Sequence, residues 1–222
     1  MKYDAVIFDN DGVLTTLTDH EKLRRASAYA FKTQGVEEPT RADLETLFSP
    51  TVEEIHGIAT RYDIDADSLW AARERAAIEE QRDAIVAGEK TLYEDVTTLT
   101  DLEVPRAIVS NNQHETIETI VDYFDLEGFD PYYGREPTIA GIERKKPTPY
   151  YLENAIDDMG CSNPLYVGDS WVDVAVSETI GIDSVFLRRS HREAYQFSQY
   201  GFDGEPTYEI AGLDGLPSIL HG

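Results

Sequence analysis

Asp9 and Asp11 stand two residues apart directly after Ala5-Val6-Ile7-Phe8, an apolar run rich in β-branched and aromatic types. Such a run reads as a strand buried on both faces. Side chains alternate along an extended chain, so the two carboxylates leave the backbone on the same side. At the carboxyl end of a parallel strand that side faces the ligand crevice. Like charges held there need a cation between them, a proton on one of them, or both. Phosphoryl transfer uses that arrangement, with a hard divalent ion to neutralise the oxygens. Taken alone, Asp9-Asn10-Asp11-Gly12 suits a plain turn equally well, because all its residue types favour turns.

Three further stretches could complete such a site: Ser110-Asn111, Lys146-Pro147-Thr148-Pro149, and Gly168-Asp169-Ser170 with Asp173 four residues on. Lys146 offers positive charge against phosphoryl oxygens, while the Ser110 hydroxyl and the Asn111 main-chain N–H offer hydrogen bonds to another of them. Lys145 is a fallback for Lys146, and Arg144-Lys145-Lys146 is a cationic cluster in an acidic chain. Asp169 adds a carboxylate at a strand end, and Asp173, one helical turn beyond, points back to the same place. Each has a plainer reading: Ser-Asn and Asp-Ser often only cap helices, and a lysine is usually only solvated.

These residues sit where strands give way to helices. Pro105 to Val109, Leu165 to Gly168, Ser184 to Leu187 and Tyr208 to Ile210 read as further strands. Stripes at Ile117, Ile120, Val121 and Phe124, at Leu152, Ala155, Ile156 and Met159, and at Val172, Ala175 and Val176 read as helices between them. Ser110-Asn111-Asn112 is expected to cap the first of these, and Tyr93, Val96, Leu99 and Leu102 predict another helix. The alternation predicts an α/β protein, a parallel sheet sandwiched by helices, with its ligand site at the strands' carboxyl ends. Residues 16–91 are different: four helical stretches, over Asp19 to Gln34, Arg41 to Phe48, around Val52 to Ala59, and Ala66 to Val86, with no strand among them.

The four motifs are similar, in order and spacing, to those of the haloacid dehalogenase-like (HAD) hydrolase superfamily. The resemblance implies a Rossmann-like core of residues 1–15 and 92–222, with residues 16–91 as an inserted helical cap. It also implies a Mg²⁺-dependent phosphatase acting on a small phosphorylated metabolite such as phosphoglycolate or a sugar phosphate. In that scheme Asp9 attacks phosphorus, and Asp11 protonates the leaving alkoxide and then activates water, its pKa raised by its acidic neighbour. Ser110, Asn111 and Lys146 bind the phosphoryl group. Asp9, Asp169 and the main-chain carbonyl of Asp11 hold Mg²⁺, with Asp173 on a metal-bound water or on the lysine.

A phosphosugar mutase shares this core and is the alternative, decided by the cap. A non-catalytic phosphometabolite-binding protein would be suggested by loss of Asp9, Asp11, Lys146 or Asp169, and all four are present. A haloalkanoate dehalogenase lacks the second aspartate, and a signalling receiver domain places its lysine last and is too short for the cap. Glu94-Asp95-Val96 replaces the Pro-Gly-Val that many relatives carry at the return from the cap, which affects the hinge rather than the chemistry.

Composition narrows the partners. Forty-three acidic against 19 basic residues give a charge of −24, which disfavours nucleic acid and anionic membranes. The acids are dispersed and hydrophobic residues make up 41%, so the chain is globular, with a surface like that of halophilic proteins. The single Cys161 excludes an intramolecular disulfide, and no apolar run approaches about 20 residues. The expectation is a soluble cytoplasmic protein, monomer or homodimer. The histidines 20, 56, 114, 191 and 221 lack zinc-ligand spacing and read as ordinary, with His114 within reach of the Ser110 loop. Ten of the 19 basic residues lie in the cap, and Arg24, Arg25, Arg41 and Arg61 are candidates to face an entering anion.

Overall fold

A computed structural model describes residues 1–126 and 128–221. Six parallel strands form one sheet in the order β3-β2-β1-β4-β5-β6. They are β1 (Ala5–Phe8), β2 (Arg106–Gln113), β3 (Phe129–Arg135), β4 (Pro164–Gly168), β5 (Asp183–Leu187) and β6 (Tyr208–Ile210). β1 lies between β2 and β4, with Phe8 opposite Ile108 on one side and Val167 on the other. That register places Ser110 of β2 and Asp169 after β4 within one residue of the level of Asp9. The fold is the Rossmann-like α/β arrangement expected.

Both faces of the sheet are buried, as near-continuous apolar strands require. Val6, Phe8, Ile108, Leu165 and Val167 point into one cluster, with α5 (His114–Phe124) and α9 (Leu216–His221) packed on it. Ile7, Ala107, Val109 and Tyr166 point into the other, against α7 (Tyr150–Met159) and α8 (Trp171–Ile180). Between β1 and β2 the chain makes α1 (His20–Thr33), α2 (Arg41–Thr46), α3 (Val52–Tyr62) and α4 (Ala66–Val86). Their starts are fixed by Asp19, Thr40, Thr51 and Asp65, whose side chains accept from free main-chain N–H groups of the first turn. Phe31, Leu47, Ile55, Leu69 and Trp70 form a separate apolar cluster among these helices, joined by Ile142 of α6 (Ile139–Arg144).

Two expectations change. β3 carried no expectation of a strand, and β2 runs on through Ser110, Asn111 and Asn112 to Gln113. Helix α5 therefore begins at His114, and Ser110-Asn111-Asn112 is polar strand at the crevice rather than a helix cap. The stripe from Tyr93 to Leu102 is a 3₁₀ helix, Glu94–Asp101. Among the described residues no helix is long and apolar enough to cross a membrane.

Candidate active site

Asp9 leaves the end of β1 with its N–H bonded to Val167 O at 2.8 Å, so its position is set by β4. Its Oδ1 accepts from Asn10 N at 2.8 Å and lies 3.0 Å from Lys146 Nζ. Lys146 is buried, and its ammonium also reaches Asp173 Oδ1 at 2.7 Å, Tyr166 Oη at 2.6 Å and Val109 O at 3.0 Å. Burial alone would lower the pKa of the ammonium; Asp173 and Asp9 outweigh it and hold Lys146 charged well above the ordinary lysine range. Burial pushes the Asp9 carboxyl up to about 7, with Lys146 pulling the other way and Asp173, Asp169 and Asp11 adding to the rise.

Asn111 fastens the lysine from the main-chain side. Its Oδ1 accepts from Lys146 N at 2.7 Å and its Nδ2 donates to Lys146 O at 3.0 Å. The Ser110 hydroxyl, on β2 beside the end of β1, accepts from Asn112 N at 3.2 Å. Asp173 also has both oxygens engaged, because Oδ2 accepts from Ser170 N at 3.0 Å and from Ser170 Oγ at 2.6 Å. It therefore caps α8 and aims Lys146 together. Gly168 is needed there, since a Cβ would meet the Asp173 side chain at 2.3 Å.

Asp11 corrects the expectation of a raised pKa. Lys90, buried in the segment returning from α4, donates to its Oδ1. Asn112 Nδ2 donates to Oδ2 at 2.8 Å and Asn10 Nδ2 at 3.3 Å. Burial would raise the Asp11 carboxyl, but Lys90 and these amides outweigh it and hold it below the ordinary carboxylate range. Its charge is set by this lysine rather than by its acidic neighbours. Lys90 also donates to Thr16 O at 2.8 Å, where Thr16 N meets Thr91 O at 2.9 Å and Thr15 bridges to Leu92. One ammonium thus ties both crossing strands to Asp11.

Asp169 Oδ2 lies 2.8 Å from His191 Nε2 and accepts from Arg192 Nε at 2.9 Å. His191, expected to be ordinary, is thus at the site. His114 instead takes a hydrogen bond from Gly134 N through Nδ1 at 3.3 Å and stacks on Tyr132. Gly12 has φ +82°, and a Cβ there would fall 2.2 Å from Asp169 Oδ2, so the loop after β1 can close over Asp169 only as glycine. Asp9, Asp169 and Asp173 can each bring one carboxylate oxygen within 4.8 Å of the others. Among the described residues, Asp9 Oδ2 and Asp169 Oδ1 carry no protein hydrogen bond. Unengaged hard oxygens on two buried carboxylates of one cluster fit a divalent cation such as Mg²⁺.

Comparison with known proteins decides the family. The model of the haloacid dehalogenase-like hydrolases matches residues 6–187. The chain belongs to the haloacid dehalogenase-like hydrolases. It is 23% identical to Pyrophosphatase PpaX of Halalkalibacterium halodurans, over 99% of this chain and 98% of that one. CbbY of Rhodobacter sphaeroides, solved with phosphate, superposes with a TM-score of 0.70 at 20% identity, covering 97% of this chain and 99% of that one. A variant of CbbY in complex with xylulose-(1,5)bisphosphate gives the same TM-score at 19% identity, covering 96% and 99%.

In this HAD-like chain the crevice continues beyond Asp11 as a cavity of about 360 Å³ between the ends of β2 and β3 and a wall made by α1, Phe48-Ser49 and α4. Arg24, Arg25, Arg41 and Arg61 do not line it; they pair with Glu21 and Glu45, Glu80, Glu45 and Asp43 respectively. Arg73 of α4 and Arg135 of β3 do, together with Arg192. Arg73, Arg135, Arg192 and Lys90 escaped the sequence reading because their acidic partners lie elsewhere in the chain or read as solvated. Only Arg73-Glu74, adjacent charges inside a helix, left a local signal. Lys145, the fallback for Lys146, turns away from Asp9 and donates to Pro50 O at 2.7 Å.

Proposed function

We propose that the chain is a Mg²⁺-dependent phosphatase acting on a small phosphorylated metabolite through an aspartyl-phosphate on Asp9. Lys146 carries the reading: a buried ammonium 3.0 Å from Asp9 and 2.7 Å from Asp173 supplies fixed positive charge beside a carboxylate at the strand tips. Asp9, Asp169 and the main-chain carbonyl of Asp11 would hold Mg²⁺. Bound there, it would neutralise phosphoryl oxygens and let an anionic phosphate approach an anionic nucleophile.

Asp9 bonds to phosphorus as the ester P–O bond breaks, and the leaving oxygen takes that electron pair. Asp11 gives it a proton. Asp11 starts ionised beside Lys90, and the arriving phosphate dianion, a like charge at close range, favours its protonated form. Once it has given up that proton, it is the base that takes one from water as water displaces Asp9 from phosphorus. Ser110 Oγ, the Asn111 N–H and Lys146 hold the phosphoryl oxygens through both steps. Residues 16–91 act as a cap over a core of residues 1–15 and 92–222, and the pairing of Thr15 with Leu92 makes a natural hinge that closes to exclude bulk water.

Hydrolysis of p-nitrophenyl phosphate and a panel of phosphorylated metabolites, with and without Mg²⁺, tests the reading. Asp9→Asn should abolish turnover while circular dichroism and melting temperature stay as in the parent. Full activity in that variant would contradict the nucleophile.

A further inference from the structure

The chemistry above uses the cavity only near Asp9 and Asp11. Farther along its lining, Arg73 and Arg135 meet around Glu74, a wholly buried carboxylate of α4. Glu74 accepts from Arg73 Nη1 at 2.6 Å, from Arg135 through both terminal nitrogens, and from Gln113 Nε2 at 3.1 Å. Both guanidinium carbons lie 5.2 Å from the centre of the Trp70 ring. One carboxylate between two guanidiniums leaves a surplus positive charge out of bulk water, which is costly unless an anion completes it.

Lys145 adds to that surplus, since its Nζ donates to Ser49 Oγ at 3.4 Å and Ser49 lines the same cavity. Burial pushes its ammonium down to about 8, and Arg135 and Arg73 push it the same way. Glu54, the next acid, is committed to the Thr51 cap, accepting from Thr51 N at 2.7 Å. Arg73 Nε is buried and has no hydrogen-bond partner among the described residues. Arg135 Nε donates to Asn111 O at 2.8 Å, so the cluster joins directly to the loop assigned to phosphoryl oxygens. In a chain of charge −24, two arginines lining one cavity with a lysine behind them call for a ligand.

We infer that Arg73 and Arg135, with Lys145, form a second anion subsite, and that the substrate is a phosphate monoester bearing another anionic group, a carboxylate or a second phosphate. Planar guanidiniums suit either oxyanion through paired N–H donors. The inference rests on the phosphatase reading for which end reacts, but not for whether the other end is bound.

Asp9→Asn protein in Mg²⁺ buffer is titrated calorimetrically with matched ligands: 2-phosphoglycolate against ethyl phosphate, and propane-1,3-diol bisphosphate against propyl phosphate. The two-anion member should bind at least tenfold tighter in one pair or both, and the pair that responds distinguishes carboxylate from phosphate. Arg73→Gln and, separately, Lys145→Met at a partly exposed position should each cut that ratio severalfold. Affinities equal within twofold in both pairs overturn the subsite whatever the variants do, as does a ratio that survives both substitutions. Hydrolysis of p-nitrophenyl phosphate by the parent is measured alongside. Its absence removes the phosphatase reading and leaves the binding ratio to judge the subsite.

Discussion

Replacing Glu74 by glutamine keeps the size of the side chain and removes the charge that holds two arginines together. Glutamine offers one acceptor oxygen where the carboxylate has two, and its amide turns donor hydrogens toward a guanidinium. Removing one partner of a buried ion pair costs about 3–5 kcal/mol, because the remaining charge stays buried and unpaired. Here Trp70 faces both guanidiniums and the cavity admits counter-ions, which places the loss near the lower end, about 3 kcal/mol. For a chain of this length that lowers the melting temperature by roughly 6–12 °C.

The loss has a pH signature. Burial alone would raise the Glu74 carboxyl, but Arg135 and Arg73 outweigh it and hold it below its ordinary 4.5. A carboxylate depressed in the folded state contributes stability above its unfolded value, lost as pH falls through the folded one. The gap between parent and Glu74→Gln is therefore widest near neutral pH and closes in acid. Urea or thermal melts at neutral pH and well below 4.5 measure it. A neutral-pH loss under about 1 kcal/mol, or a gap that widens in acid, would refute the charge-balance argument. Inorganic phosphate should restore more stability to the variant than to the parent, since it leaves another guanidinium bare.

Lys90→Met should let burial push the Asp11 carboxyl upward. A unit charge at about 4 Å is worth about 4 kcal/mol at an effective permittivity near 20. The Asp11 side chain is 23% exposed, so water makes up part of the loss, leaving about 2 kcal/mol, more than tenfold in the ratio of ionised to protonated Asp11. The first step needs the protonated acid, so the alkaline limb of kcat/KM should move to higher pH; a profile superimposable on the parent's would sink the assignment. Below about 7 the Asp9 carboxyl holds a proton that Mg²⁺ must displace, so the rise in melting temperature on adding Mg²⁺ should be larger at pH 8 than at pH 6. The reverse order would remove Asp9 from the metal site.

The strand-tip aspartates were legible because β1 and β4 are short apolar runs buried along their whole length, each stopping at an acid. Four helices at residues 20–86 were legible from their stripes and caps. β3 was not: Phe129-Asp130-Pro131-Tyr132-Tyr133-Gly134-Arg135 carries a proline and a glycine, which a strand accepts at the sheet edge where β3 lies. Ser110 to Asn112 looked like a cap because a strand entering a polar crevice loses its apolar signature. The charge of Asp11 could not be read locally, for Lys90 is 79 residues away in sequence. Glu74 and Arg135, 61 residues apart, look like ordinary members of solvated faces until the fold buries both.

The acids in and behind the crevice are met by bases from other parts of the chain: Lys146 for Asp9 and Asp173, Lys90 for Asp11, Arg192 for Asp169, Arg135 for Glu74. A chain of charge −24 would repel a phosphate ester at long range, and local pairing is what would let one settle. Exposed acids lose most of their field to salt within a Debye length, whereas the buried pairs keep theirs. The cations lie in the return from α4, the end of β3, the turn between α6 and α7 and the loop after β5, so the site exists only when these segments have docked. An acidic exterior and a cation-lined interior are therefore separable: the first carries the net charge into solvent, and the second, assembled by tertiary structure, is where the proposed substrate anion would meet positive charge.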